Sequence, residues 1–517
     1  MDGNTAKNSG RAAGLYNPSE RDFIGLSRDH NLVTVSRTFE ADTETPVTAF
    51  LKLGGGKYSF LLESAEGGER WGRYSFIGCE PLRVIRYRDG RLDDPLEDGP
   101  PEQDVNPVDF IFDTMDSIHA SDCIEDLPFH GGAVGYFSYD LLPFMENVKL
   151  RQKDGLPVPE MMFTLTRTAA AFDHLRGRII LLANVPVKEE HDEGELRRKY
   201  REATASLESM ARALKERGPL HRPMEVYYLS EDMDFRDVTS NFTREEYEEV
   251  VSRAREYIYA GEAFQIVPSQ RFSTPLHCSP FSIYRSLRSQ NPSPYMFFLR
   301  FDDLYLVGSS PEPMVRQRVR RAVIRPIAGT RPRGKNPKED LAMEQDLLAD
   351  EKERAEHVML VDLARNDLGR VCSAGSVCIS KLMEVERFSH VMHLVSEVTG
   401  ELRDGCGNRE LLRSSFPAGT VSGAPKVRAC QLIDELERDR RGPYAGAVGY
   451  ISYHGDMDTC IAIRTVVIQG NQAYVQAGGG VVADSQPASE YEETLNKARA
   501  LLRAIRLAEA REGVMAL

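Results

Sequence analysis

Gly446-Ala-Val-Gly-Tyr-Ile-Ser-Tyr453, Asp458-Thr-Cys-Ile-Ala-Ile-Arg-Thr-Val-Val-Ile468 and Ala473-Tyr-Val-Gln-Ala-Gly478 follow one another within a short span of chain. Each run is rich in β-branched, aromatic and small apolar residues and is bounded by turn-forming residues, so each reads as a strand. Working outward, Phe297 to Arg300 and Tyr305 to Gly308 read as further strands, while Leu341 to Leu363, Pro425 to Leu436 and Ser489 to Leu507 read as helices. There is no internal repeat and no regular βαβ alternation. The expected class is therefore mixed α/β of the α+β type: large antiparallel β-sheets forming a sandwich, with helices packed outside.

Toward the front, from Phe50 to about Asp173, apolar runs such as Tyr58 to Leu62 and Arg83 to Tyr87 alternate with Gly-rich turns and read as strands. Asp89 to Asp104 is acidic and Pro/Gly-rich, which predicts a solvated loop. Leu196, Tyr200, Ala203, Leu207, Ala211 and Leu214 recur at helical spacing, so an amphipathic helix is expected from about Glu193 to Glu216. Gly218 to Asn241 reads as a linker or edge segment. Thr243 then opens a capping box with Glu246, and its helix should stop near Gly261. The expected parts are 1–241 and 242–517, with sheets free to interleave.

The 517 residues are 41% hydrophobic and 28% charged, and no apolar run approaches the roughly eighteen residues of a membrane helix. Met1 to Gly14 is polar, unlike a secretory signal, and reads as a loose tail. A formal charge of −14 disfavours nucleic-acid partners, since phosphate backbones demand a basic footprint. The eight cysteines are scattered with no C-x-x-C pair, which suits a reducing cytoplasm and indicates neither zinc nor a disulfide framework.

Two acidic pairs stand out: Glu353 with Glu356, in Glu351-Lys-Glu-Arg-Ala-Glu-His357, and Glu490 with Glu493, in Ser489-Glu-Tyr-Glu-Glu-Thr494. At i and i+3 each pair shares a helix face. If the faces converge, their carboxylates suit a hard cation, Mg²⁺ above all. Spacing alone equally allows solvated faces balanced by Lys352, Arg354 and Lys497. Gly478-Gly-Gly480 is either an ordinary turn or a place where backbone N–H groups approach an anion. Arg464, interrupting an apolar strand, either pairs with a structural acid or grips a substrate carboxylate.

Four ordered blocks carry a resemblance: Arg325-Pro-Ile-Ala-Gly-Thr-Arg-Pro-Arg-Gly334, His357-Val-Met-Leu-Val-Asp-Leu-Ala-Arg-Asn-Asp-Leu-Gly-Arg370, Phe416-Pro-Ala-Gly-Thr-Val-Ser-Gly-Ala-Pro-Lys426 and Ala477 to Asp484. Over roughly Phe242 to Ala508 the chain resembles the chorismate-binding enzyme family, and its front half is similar to that of the family's anthranilate-forming members. The resemblance implies a Mg²⁺ site at Glu353, Glu356, Glu490 and Glu493. It further implies substrate binding by Gly329, Thr330, Tyr444, Arg464, Gly478, Gly479, Gly480 and Lys497. His390, Thr420 and Glu353 are the catalytic residues it suggests; His390, in Arg387-Phe-Ser-His-Val-Met-His393, ranks above nearby His393, because an imidazole titrating near neutrality suits proton transfer.

The same resemblance implies which reaction. Relatives that activate water use a lysine where this chain has Gln265, and those making aminodeoxychorismate carry a lysine where it has Ala328. Neither residue can serve as base or nucleophile. What is implied is a lyase forming anthranilate and pyruvate from chorismate and ammonia. The G-x-C-x-G elbow of a glutamine amidotransferase is absent from the sequence, so ammonia is expected from a separate amidotransferase subunit (component II) in a hetero-oligomer. Leu61-Leu-Glu-Ser64 and Asn291-Pro-Ser-Pro-Tyr-Met296 resemble feedback segments that bind tryptophan, implicating Glu63, Ser64, Pro294, Tyr295 and Met296; apolar strand plus turn is the plainer reading. The rivals are aminodeoxychorismate synthase and a non-catalytic amino-acid sensor.

Overall fold

Ala447–Ser452 runs antiparallel between Gly132–Phe137 and Met457–Ile461, and this three-strand contact joins the front of the chain to its back. A second junction pairs Tyr58–Glu63 with Tyr295–Phe301, in a register that sets Glu63 opposite Met296. Strands from either side of residue 241 thus belong to one hydrogen-bonded network. The computed structural model describes residues 15–64, 72–97, 99–122, 124, 126–216, 235–388 and 391–513. The Met1 to Gly14 tail and most of the Gly218 to Asn241 linker lie outside these residues.

Alternation of side chains builds the layers. Phe297, Leu299 and Phe301 point into a core shared with Phe60, Phe76, Tyr136, Val448, Tyr450 and Cys460. Met296 and Phe298, of opposite parity, face a second core formed with the helices Pro46–Leu53, Glu193–Lys215, Pro280–Gln290 and Pro487–Arg511. A third core sets Met161, Phe163 and Leu165 against the helices Pro107–Asp116, Glu351–Gly369 and Asn408–Ser415. The result is the expected sandwich of antiparallel sheets with helices outside. Among the described residues no helix is long and apolar enough to cross a membrane.

The capping box at Thr243 forms as read, with Thr243 Oγ1 accepting from Glu246 N and the Glu246 carboxylate accepting from Thr243 N; its helix is Arg244–Tyr259. Arg83 to Tyr87 is a strand as read, within the longer Tyr74–Arg88. Three expectations are corrected. The Asp89 to Asp104 segment carries two short strands, Arg91–Asp93 and Glu102–Gln103, which pair with each other. Leu341 to Leu363 is two helices, Pro337–Ala349 and Glu351–Gly369. Finally, Asp458 to Ile468 is two strands, Met457–Ile461 and Thr465–Gln469. The last break shapes the cavity described below.

Gly135 lies at the centre of the front-to-back junction, where a Cβ would sit 1.9 Å from the carbonyl oxygen of Met162. Gly135→Ala must therefore push two strands apart. The expected cost is about 1–3 kcal/mol, read as a lower urea midpoint at unchanged m-value.

Candidate active site

Asp350 breaks the helix that the sequence suggested was continuous. Its backbone is extended, and its Oδ1 accepts from Lys352 N and Glu353 N at 3.0 Å each, capping Glu351–Gly369. Glu353 and Glu356 consequently stand near the start of a new helix, whose dipole favours anions. Burial, then the neighbouring Glu356 and Asp350, raises the Glu353 carboxyl above its ordinary range. Arg331 offsets part of this, lying 3.6 Å from Glu353 while donating to Asp350 at 2.7 Å. Glu356 accepts from Gln265 Nε2 at 3.0 Å.

The second pair meets this wall at the glycine triplet. A Cβ on Gly479 would lie 2.8 Å from Glu490 Oε2 and 3.9 Å from the Glu493 carboxyl carbon; one on Gly480 would lie 2.7 Å from Gln265 Nε2; one on Gly478 would lie 2.8 Å from the Tyr444 hydroxyl. Close approach therefore requires glycine here, beyond the needs of a turn. Burial and Glu493 raise the Glu490 carboxyl, while Lys352, from the other acidic helix, lies near enough to lower it. Glu490 Oε2 is buried without a hydrogen-bond partner, as is Gln265 Oε1. Among the described residues no three His, Cys, Asp or Glu side chains are gathered as a metal-binding group. The donor chemistry nonetheless fits a hard cation: Glu490 and Glu493 stand at the turn, Glu356 is joined to it through Gln265, and the buried Glu490 Oε2 has no hydrogen-bond partner.

Beside the triplet opens a cavity of ≈ 320 Å³ lined by Ser293, Pro294, His393, Arg464, Glu493 and Lys497, among others. Arg464 reaches it because the strand breaks there, its backbone turning to φ 48°, a strained conformation for a non-glycine residue. Lys497 Nζ donates to Gly478 O at 2.9 Å and pairs with Glu493 at 2.8 Å. Tyr444 is buried beside Gly478, and its phenol is pushed upward mainly by burial.

His390 lies outside the described residues. The imidazole that the fold brings to the cavity is that of His393, whose Nδ1 donates to Gly329 O at 2.8 Å and lies 3.1 Å from Thr330 Oγ1. Burial lowers its pKa below the ordinary histidine value, and the Arg464 charge adds to the effect. Gly329 needs its left-handed φ of 66°, and a Cβ there would meet Leu347 at 3.0 Å and Glu353 Oε2 at 3.3 Å.

Sequence reasoning missed Glu312. Its Oε2 accepts from Thr420 Oγ1 at 2.8 Å, and burial raises its carboxyl even though Thr420, Arg464 and Lys497 all favour the charged form. Thr420 thus joins the site through Glu312. No spacing marks Glu312 in Ser309-Ser-Pro-Glu312; only the fold surrounds it with these partners.

A second cavity, of ≈ 240 Å³, is lined by Glu63, Ser64, Pro294, Tyr295 and Met296, together with Tyr450 and Asp458 on the opposite wall. Tyr295 donates to Asp458 Oδ1 at 2.9 Å, and Arg316 lies 3.2 Å from the same carboxylate. Glu63 turns its carboxylate to Arg288, at 3.1 Å, and Tyr284. Pro294 borders both cavities.

Residues 58–503 match the chorismate binding enzyme family. Anthranilate synthase component 1 of Aquifex aeolicus (strain VF5) is 46% identical over 495 residues, covering 94% of this chain and 97% of that protein. The Pseudomonas aeruginosa protein of the same name is 44% identical over 498 residues, covering 95% and 99%. Among solved structures, anthranilate synthase component I from Streptococcus pneumoniae TIGR4 superposes with a TM-score of 0.71 at 37% identity, over 90% of this chain and 98% of that one. MenF, the menaquinone-specific isochorismate synthase from Escherichia coli, shares the fold with a TM-score of 0.68 at 17% identity, over 94% and 98%. With that extent of identity over nearly the whole of each protein, the chain is an enzyme of the chorismate-binding family, within its anthranilate synthase component 1 group.

Proposed function

We propose that this enzyme converts chorismate and ammonia to anthranilate and pyruvate with the help of Mg²⁺, receives its ammonia from a glutamine amidotransferase subunit, and is inhibited by tryptophan. The observation that carries the reading is the Glu490–Glu493 pair at the glycine turn, joined through Gln265 to Glu356 of the other acidic helix, beside the cations Arg464 and Lys497. An acidic wall beside a basic one suits a dianion only if the acidic side is neutralised. Glu353, Glu356, Glu490 and Glu493 would hold Mg²⁺, which when bound supplies that neutralisation and polarises the oxygen it meets.

The chain's own residues do the rest. Arg464 and Tyr444 grip one substrate carboxylate, and the Gly478 to Gly480 amides, Gly329 and Thr330 border the ring. Gln265 gives its N–H to Glu356, so its buried and unpartnered Oε1 is an acceptor suited to an N–H of ammonia. An amide cannot act as a base toward water, and Ala328 offers no nucleophile; both favour ammonia. Glu312, held toward its acid form by burial, protonates the ring hydroxyl as it leaves as water, and Thr420 orients it. Neutral His393, its Nδ1–H committed to Gly329, accepts the ring proton at Nε2 when pyruvate departs and the ring aromatises.

Tryptophan fits the second cavity, where Ser64 and the Asp458–Arg316 pair can meet its polar groups and Tyr295 and Tyr450 its indole. Inhibition requires that it bind a low-activity state more tightly than the active one. Pro294, common to both walls, gives the two sites a shared element.

Chorismate consumption with ammonium and Mg²⁺ should yield fluorescent anthranilate, stop with EDTA, and fail when glutamine alone is supplied; a product that retains pyruvate by mass identifies aminodeoxychorismate synthase instead. Glu312→Gln should lower kcat by about 10²–10⁴ with little change in KM. The rate should fall with rising pH as Glu312 loses its proton at an elevated pKa, and with falling pH only below about 6.5, where His393 gains one; an acid limb that survives His393→Gln unchanged removes His393 from the mechanism. Ser64→Phe should abolish tryptophan inhibition while leaving ammonia-dependent turnover, and inhibition persisting in that variant defeats the regulatory assignment.

A further inference from the structure

His130 and His454 come together where the front-to-back strand pair ends, next to the pairing of Gly132 with Ser452 and the hydrogen bond from Tyr453 N to Gly131 O. His130 is 4% exposed. Its Nε2 lies 2.9 Å from the carbonyl oxygen of Ile124, so that nitrogen carries a proton. His454 Nε2 lies 3.1 Å from the carbonyl oxygen of Ser121 and 3.4 Å from an Asp122 carboxylate oxygen, both acceptors, so it carries a proton too. In neutral imidazoles both Nδ1 atoms would then be bare lone pairs, yet they face each other at 3.1 Å. Two acceptors at hydrogen-bond distance repel, and the buried His130 ring cannot turn to water.

We propose that His130 and His454 hold one extra proton between their Nδ1 atoms, and that this proton latches the segment before Gly132–Phe137 to the turn after Ala447–Ser452. The surroundings suit a cation. Asp122 faces His454, and Asp456, itself 3.8 Å from Arg318 and within the field of Arg316, is favoured in its charged form by His454. His130, by contrast, is held down to about 4 by burial and by the His454 charge, which keeps it the acceptor.

The latch lies behind the ≈ 240 Å³ cavity. Phe129, adjacent to His130, packs on Tyr450 at 4.9 Å and on Phe76 at 5.2 Å between ring centroids, and both rings line that cavity with Pro128. Fastening His130 to His454 therefore ties one wall to the other independently of which ligand the cavity takes.

The test is ¹⁵N-histidine spectroscopy of the full chain in EDTA at about pH 6.5 and about pH 9, with the two signals assigned by their loss in His130→Gln or His454→Gln. At the lower pH one ring should be doubly protonated and the other an Nε2–H tautomer. Two neutral rings, or an Nδ1–H tautomer on either, overturn the latch, as does a metal-ligated pattern with stoichiometric zinc in EDTA-free protein. Because the folded chain retains a proton that the unfolded chain has released, stability should drop as pH rises over this interval. Gln at 454 donates a neutral N–H instead, so wild type should lose about 2 °C more in Tm than His454→Gln across it; equal losses reject the proposal.

Discussion

At Gly478, Gly479 and Gly480 side-chain oxygens and an amide nitrogen approach the backbone more closely than any Cβ would permit. That approach lets the Tyr444 phenol, the Glu490 and Glu493 carboxylates and the Gln265 amide crowd around a single turn. It also has a cost, since like charges are held together where burial is high, and burial with the neighbouring Glu493 raises the Glu490 carboxyl above its ordinary range. Such strain is useful where a cation is to be bound, because binding relieves it.

The remaining architecture serves to aim groups at that turn. Asp350 stops one helix and caps the next, so that Glu353 and Glu356 start where the dipole favours anions. The interruption after Ile461 costs a stretch of regular strand and a strained φ at Arg464, on the order of 1–3 kcal/mol, and in exchange a guanidinium reaches the cavity instead of the sheet interior. The paired front and back strands supply the rigidity against which these local departures are held.

Sheet continuity also explains how two cavities come to share a wall. The register of Tyr58–Glu63 with Tyr295–Phe301 sets Glu63 against Met296, and the segment leading into the latter strand carries Ser293 and Pro294 along the substrate-sized cavity. A ligand that displaces Tyr295 or Met296 therefore bears on Pro294 without any long chain of intermediates. Packed strands do not deform continuously, so such a shift would favour one of two arrangements rather than grade between them.

Much was legible in the chain itself. The runs within residues 446–478 established strands, the Thr243 to Glu246 spacing a helix start, and the four motif blocks the family, because periodicity, capping and motif order are local properties. The glutamate pairs, Arg464 and the glycine triplet could be nominated, and the two tryptophan-type segments could be paired by resemblance. What spacing could not decide was which neighbours each side chain would meet. The breaks at Asp350 and after Ile461, the choice of His393 as the cavity's imidazole, the recruitment of Glu312 through Thr420, and the facing nitrogens of His130 and His454 all depend on residues far apart in sequence. Their hydrogen bonds, burial and charge exist only once the strands have paired, and so only the tertiary structure could decide them.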